Sequence, residues 1–381
     1  MDILLLGNGF DLHHKLPTTY LSFLKVTDYL CSKHIISDPM TIGMIFKEAS
    51  KDYKFLKTCY EEYKSVYDSF IVDFESITDI TKKCQENVWW NYFKSINNKE
   101  LGWIDFEKEI SKVIEAFRLV FLSEKMRFPF SFNPRRSEYE YIVSHFSFIF
   151  DKLPNGSKIK NKYLISYPYD PDSKYINSQI IISDLFNSLK DFAEILKQYF
   201  IVFVDKSLEK LKEQDLIQKN MIEQHNWKHV ISFNYTKTYE KLYSPANVHH
   251  IHGVLDKNII LGVNSDEWDT AGANNPFISF KKYYQRVVQQ TDVSYYNLIQ
   301  EIRAKDKKTA VNSLIVIGHS LDSTDKDLIT EIFSECDKIT ICYHNQTALN
   351  DYYANLINIY GKTDFDKLRI EKNITFFELD S

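Results

Sequence analysis

A short apolar run, Ile3-Leu4-Leu5-Leu6, passes directly into Gly7-Asn8-Gly9-Phe10-Asp11 and then into a helical pattern. Four apolar residues without polar alternation read as a strand buried on both faces, so the run needs neighbouring strands and helices above and below it. The glycines that follow permit positive φ and close backbone approach, and the first N–H groups of the helix face whatever sits there. A phosphate is the expected guest, with the helix dipole adding ~0.3–1 kcal/mol per interaction. Gly-x-Gly alone also marks ordinary turns, so the weight of this reading falls on what lies downstream.

Neighbours for that strand are found at the far end of the chain. From Trp227 onward, short apolar runs alternate with polar turns: His229 to Phe233, Val248 to Ile251, Ile259 to Leu261, Ser313 to Ile317, Ile339 to Tyr343 and Ile374 to Phe377. Helical patterns lie between them over Ser323 to Phe333 and Ala348 to Tyr360, which predicts an open, doubly wound, mostly parallel α/β sheet of Rossmann type. The middle differs. Residues 42–72 and 86–124 carry aromatic and aliphatic residues at three- and four-residue steps, and Leu185, Leu189, Phe192, Leu196, Phe200 and Val204 mark one long helix. Thr18 or Thr19 is the expected cap of the helix that resumes at Tyr20. Five of the nine prolines fall between Arg127 and Tyr175, a stretch read as loops with one short element around Tyr139 to Phe150. The expected organisation is an α/β domain from residues 1–30 and 226–381, interrupted by a helix-rich insertion over 31–225.

Composition narrows the function classes. With 381 residues and 44% hydrophobic content the chain can bury one large core or two ordinary ones. Lys+Arg 47 against Asp+Glu 52 gives a formal charge of −5, which argues against a dedicated nucleic-acid or membrane-surface binder. The five cysteines are scattered and lack any C-x-x-C pair, so neither a disulfide framework nor a zinc ribbon is expected. No leader-like segment and no stretch near 18 apolar residues is seen, so a cytoplasmic protein is the expectation.

In doubly wound sheets ligands bind outside the carboxyl ends of the strands. The residues there are Gly7 to Asp11, Asn234-Tyr235-Thr236, His252-Gly253, Gly262-Val263-Asn264, Gly318-His319-Ser320 and His344-Asn345. Six polar or glycine endings on six strands predict one shared cleft. An asparagine there can orient a ribose hydroxyl or a water, and a histidine can serve as base near neutral pH.

Five spaced motifs carry a resemblance: GNGFDLHHKLPTTY from Gly7, WIDFE from Trp103, SFNYTKTYEKLY from Ser232, HIHG from His250 and GHSLDSTDKD from Gly318. Together they resemble the AbiH family of bacterial abortive-infection, anti-phage proteins, over nearly the whole chain. More distantly, the strand-end motifs are similar to those of sirtuin-type NAD-binding domains. That resemblance implies a nucleotide site formed by Gly7, Asn8, Gly9, Phe10, Asp11, Thr236, Gly318, His319, Ser320 and Asn345, with NAD as substrate or ligand. It implies Asn234 and His252 as the catalytic pair of an NAD glycohydrolase. Asn8 stands where those domains have a small Ala, Asp11 where they have Ser, and Thr236 where they have an Asp that helps hold nicotinamide; the zinc-binding cysteine quartet of deacetylases is missing. The implied partners are a nucleotide, a phage-encoded trigger and a second copy of the chain.

Rival constellations fare less well. A Rossmann dehydrogenase needs glycine at Leu12 and a second strand ending near Asp28, where the pattern reads helical. The serine-hydrolase elbow G-x-S-x-G fails at Asp322. On a strand, His250 and His252 share a face while His249 points away, leaving two metal ligands and no third, so no metal is expected. Trp103, Asp105 and Glu107, which an amphipathic helix start would explain as well, are given a structural or lid role, and the tandem His13-His14 is read as solvated. The alternative from another class is a sensor that binds a nucleotide or ADP-ribose-like signal without cleaving it and acts through assembly. Direct cleavage of nucleic acid ranks lower, for want of paired carboxylates and a basic stripe.

Overall fold

The structure is a computed structural model that describes residues 2–33, 39–97, 105–122, 132–153, 156–167, 170–205, 207–208, 227–243, 246–264, 275–304 and 311–379. Six strands form one sheet: β1 (Asp2–Leu6), β2 (His229–Ser232), β3 (Asn247–His250), β4 (Val311–Ile317), β5 (Cys336–Tyr343) and β6 (Ile374–Glu378). Their order is β6-β5-β4-β1-β2-β3, and every pairing is parallel. This is the doubly wound order in which the chain reverses direction of growth between β1 and β4, opening a crevice at their carboxyl ends.

The apolar run at the N-terminus becomes the centre of the sheet for the reason its composition implied. Leu5 lies beside Val316 on one neighbour and Ile231 on the other. Ile3 and Leu5 join a core with Leu298, Leu328 and Leu356, while Leu4 and Leu6 join another with Phe10, Tyr239 and Tyr243. Ile3, Leu4, Leu5 and Leu6 are each at most 1% exposed, so both faces contribute on the order of 1.5–3 kcal/mol per residue to holding β1 in place.

A third core belongs to the helical body. It is built in part on helices α2 (Tyr20–Ser32), α3 (Phe106–Phe121) and α4 (Ser178–Tyr199), and α1 (Asn8–His13) lies between β1 and this body. Thr19 caps α2 by accepting from the Ser22 N–H at 3.0 Å, and Asp105 caps α3 through the N–H groups of Glu107 and Lys108. Phe23, Phe93, Phe106 and Phe192 pack ring to ring at the centre of this body. Leu16, Phe23, Leu24, Val26 and Leu30 belong to this core, as do Leu255, Ile259, Leu261, Val263, Phe277 and Phe280 from the crossover between β3 and β4.

Two expectations are corrected. Ile259 to Leu261 is not a sheet strand: apart from one antiparallel bridge between Gly253 and Ile259, its backbone is satisfied by side chains. Gln285 bonds both the N–H and the carbonyl of Leu261, and the Tyr235 hydroxyl donates to the Ile260 carbonyl at 2.7 Å. The stretch between Arg127 and Tyr175 holds, among its described residues, more than loops and one element. Beyond a helix at Glu138–Ser144 it forms two antiparallel ribbons, Phe150–Leu153 with Gly156–Ile159 and Leu164–Tyr167 with Asp170–Ile176. No helix among the described residues is long and apolar enough to cross a membrane.

Candidate functional site

Beyond the carboxyl ends of β1, β2, β4 and β5 lies a cleft of about 1070 Å³, of the size that takes an organic cofactor. Its walls gather Gly7, Asn8, Gly9 and Asp11 after β1, Asn234, Tyr235 and Thr236 after β2, and His252 past β3. Gly318, His319 and Ser320 after β4 and His344 after β5 complete that side, while Asp105 and Glu107 face it from α3. Of the predicted strand-end residues, Phe10, Gly253, Gly262 to Asn264 and Asn345 do not line the cleft. The Phe10 ring is buried against His14 and Tyr243 beneath the cleft floor. Asn345 instead caps the helix α5 (Gln346–Tyr360), accepting from the Ala348 N–H at 2.9 Å.

Three glycines stitch the floor together. A Cβ on Gly7 would lie 2.4 Å from His319 Cα, one on Gly9 would lie 2.6 Å from Gly318 Cα, and one on Gly318 would lie 2.2 Å from the Phe10 nitrogen. Gly318 also sits at φ +68°, where a side chain is strained whatever the space. The close approach spends donors: the Gly9 N–H goes to the Gly318 carbonyl at 2.7 Å and that of Phe10 to the Gly7 carbonyl at 2.9 Å. The anion cradle expected from the glycine pattern is therefore closed at these two groups, and the glycines serve backbone packing of the β1 and β4 loops.

On that floor Asp11 is 1% exposed. Its Oδ2 accepts from the Thr236 hydroxyl at 2.6 Å, and Thr238 in turn donates to Thr236 at 3.0 Å. Burial pushes the Asp11 carboxyl up to about 6, against the lowering effect of the Thr236 bond. Asp11 Oδ1 and Asn234 Oδ1 are both buried without a hydrogen-bond partner. Two orphaned acceptors on the wall of one cleft are matched by a ligand that brings donors.

A buried charge cluster surrounds His252. His252 Nε2 lies 3.0 Å from Asp325 Oδ1, Lys282 Nζ lies 3.0 Å from the same oxygen and 2.8 Å from Glu107 Oε2, and His319 Nε2 lies 3.6 Å from Asp325 Oδ2. His319 Nδ1 accepts from the Leu321 N–H at 2.9 Å, so its proton sits on Nε2, facing Asp325. Burial drives His252 down to about 4 despite the Asp325 charge, so its ring is neutral, with Nε2–H donated and Nδ1 carrying a lone pair. Burial alone would raise Asp325, but Lys282 and His252 outweigh it and hold the carboxyl well below its usual range. Glu107 is raised to about 7, first by burial, with Lys282 opposing and Asp325 adding like-charge repulsion.

Sequence reasoning gave Glu107 a structural or lid role and did not single out Lys282 or Asp325. Asp325 had a signal, since it lies inside the GHSLDSTDKD motif. Lys282 had none, because Lys281-Lys282 reads as an ordinary solvated pair. The histidines divide differently from their spacing. His14 is buried, bonding the Phe10 carbonyl at 2.7 Å and the Tyr243 hydroxyl at 2.6 Å, whereas His13 lines the cleft. His249 stacks on His229 and His250 pairs with Glu240, so neither joins His252. Among the described residues no group of three or more His, Cys, Asp or Glu is arranged to hold a metal. Trp103 lies outside the described residues. At the far end of α4 the helix loosens into a π-turn over Phe200–Asp205, and Phe200 reaches the cleft, a placement common for such turns.

No curated protein matches the chain, and no solved structure does. A family model does match, over residues 3–344 and hence across both the sheet and the helical body: the chain belongs to the bacteriophage abortive infection AbiH family.

Proposed function

We propose that this abortive-infection protein binds NAD or a related nucleotide in the cleft and hydrolyses its N-glycosidic bond. One observation carries the reading. Two of the departures from the sirtuin-like pattern, Asp11 and Thr236, are joined by a 2.6 Å hydrogen bond, so the carboxylate missing after β2 is supplied from the β1 loop at the same spot. The strand order, which opens its crevice at β1 and β4, supports a dinucleotide as the guest.

The chemistry follows from the groups present. Nicotinamide departs as a neutral molecule from a cationic pyridinium, so the site needs a stabiliser for an oxocarbenium-like centre and a base for water. Asp11, ionised above about pH 6, supplies negative charge, and the Asn234 carbonyl accepts from a ribose hydroxyl or the water. Water forms the new bond to the anomeric carbon, the glycosidic electron pair leaves with nicotinamide, and the water's proton passes to His252 Nδ1. Asp325 holds the His252 ring in that tautomer, as a carboxylate does behind other histidine bases. The phosphates are assigned to the end lined by His13, Lys15 and His344, where Lys15 and His344 add to burial in lowering His13.

The test is NAD consumption by purified protein, with phage-infected lysate supplied as activator, comparing wild type with Asn234→Ala and His252→Ala. NAD loss with wild type and with neither variant is the expected result. Undiminished NAD with wild type under conditions where it protects cells from phage refutes hydrolysis, and an intact nucleotide retained on the protein would make it a sensor instead.

A further inference from the structure

One helix beside the cleft is built inside out. Between Ile278 and Gln300 the chain has four charged residues, Lys281, Lys282, Arg286 and Asp292, and all four are buried. The exposed positions of the same stretch carry no charge, and six of them are large and apolar: Ile278, Tyr283, Tyr284, Val287, Val288 and Val293, from 38% to 60% exposed. The core of the feature is α6 (Lys282–Gln289). Its inner face carries Lys282, paired with Glu107 and Asp325, Gln285, bonded to Leu261, and Arg286, paired with Asp327. Its outer face is Tyr283, Tyr284, Val287 and Val288, a stripe that repeats at four residues.

A soluble surface helix ordinarily has the reverse arrangement. Loose attachment does not explain the inversion, because the helix is fixed at both ends. Lys282 holds the start between two carboxylates, and past its end the Thr291 hydroxyl donates to the Ile251 carbonyl at 2.9 Å, next to His252. A rigid, contiguous apolar patch without charge is the signature of a covered surface.

We propose that this outer face is a two-fold self-association surface, occupied by the same helix of a second copy. The electrostatics of the patch favour a copy. An uncharged patch on a chain of net charge −5 offers no counter-charge to nucleic acid, an anionic lipid or a strongly charged protein, whereas a two-fold copy sets uncharged surface against uncharged surface with nothing opposed. A stripe with four-residue spacing is also self-complementary when two such helices cross. Specific interfaces bury about 800 Å² per partner, more than these six side chains supply by themselves, so the association is weak and concentration-dependent. Because the inner face of α6 carries Lys282, the copy braces the Asp325–His252 pair from behind.

The test reads assembly and not turnover, so its outcome is independent of the nucleotide chemistry. Sedimentation velocity of the full chain over about 1–100 μM, the range expected of a small interface, should show a monomer–dimer equilibrium. Val287→Glu with Val288→Glu should weaken it by about tenfold or more, with unchanged far-ultraviolet circular dichroism and thermal unfolding because both residues face solvent. A bismaleimide crosslink between Val288→Cys subunits should form in the dimer. A wild type that stays monomeric throughout, a doubly substituted protein that dimerises as well as wild type, or wild type that is monomeric yet sediments with neutral lipid vesicles would each overturn the proposal.

Discussion

Replacing Asp11 by Asn is expected to stabilise the protein in alkaline solution while abolishing the activity proposed for the cleft. The magnitude follows from the buried carboxyl. Its pKa is raised from 3.8 to about 6 by burial, so the folded state prefers the protonated form. Stability linked to this group is full below the unfolded value and is lost as pH rises through about 6. At one pKa unit per 1.36 kcal/mol the complete loss is about 3 kcal/mol, and roughly half of it falls between pH 5 and pH 8. Asn matches protonated Asp in shape, and its carbonyl can still accept from Thr236, but it does not titrate. Urea unfolding of wild type and variant at pH 5 and pH 8 therefore isolates the titration, because any pH-independent cost of the amide cancels. The variant should gain about 1.5 kcal/mol on wild type between the two pH values. An equal difference at both pH values, or a gain at pH 5 that shrinks at pH 8, refutes the raised carboxyl and with it the argument that Asp11 is held charged at a cost.

Other perturbations follow from the same geometry. Lys282→Met leaves Asp325 and Glu107 without their shared cation and should cost about 3–5 kcal/mol at pH 8 by urea unfolding; adding Glu107→Gln should recover part of that loss, and a strictly additive double variant would contradict the coupling. Gly318→Ala, which forces a Cβ to 2.2 Å from the Phe10 nitrogen at positive φ, should cost more than about 2 kcal/mol or prevent folding, and a normal melting temperature would show that the two loops part easily. Thr236→Val removes the bond that lowers the Asp11 carboxyl, so carboxyl-carbon NMR should find it titrating above about 6; an unchanged titration would deny Thr236 that part.

The sheet was legible because burial on both faces leaves a plain mark. Ile3 to Leu6, Ser313 to Ile317 and Ile339 to Tyr343 have no room for alternation, and each proved to be an interior strand. Ile259 to Leu261 carries the same mark for a different reason: it is buried in the helical body, where side chains of Tyr235 and Gln285 take the place of a strand partner. Apolar content reports burial, and burial has more than one architecture. The strand-end rule fared similarly. It brought Asn234, Thr236, His252, Gly318 and His319 to one cleft, yet it gave no warning that Phe10 points into the core and that Asn345 is spent on a helix cap.

The charge cluster behind His252 was not legible, and the reason is physical. Sequence patterns assign charged residues to water because burying a lone charge is prohibitive, and that rule fails only when the counter-charges arrive from elsewhere. Lys282 is 1% exposed because Glu107 comes from the helical body and Asp325 from the turn after β4, residues 175 or fewer positions away along the chain but adjacent only once both layers have formed. A single-sequence pattern cannot see such a meeting. It can see the other half of the exchange: Tyr283, Tyr284, Val287 and Val288 alternate with Lys282, Gln285 and Arg286 at helical spacing, so one face must be apolar whichever way the helix turns. Helical periodicity identifies the two faces, while the ion pairs decide which of them is inside. Where those pairs sit beside a buried histidine at the mouth of a cleft, the inverted helix ties the chemistry of the site to the surface on which another molecule can act.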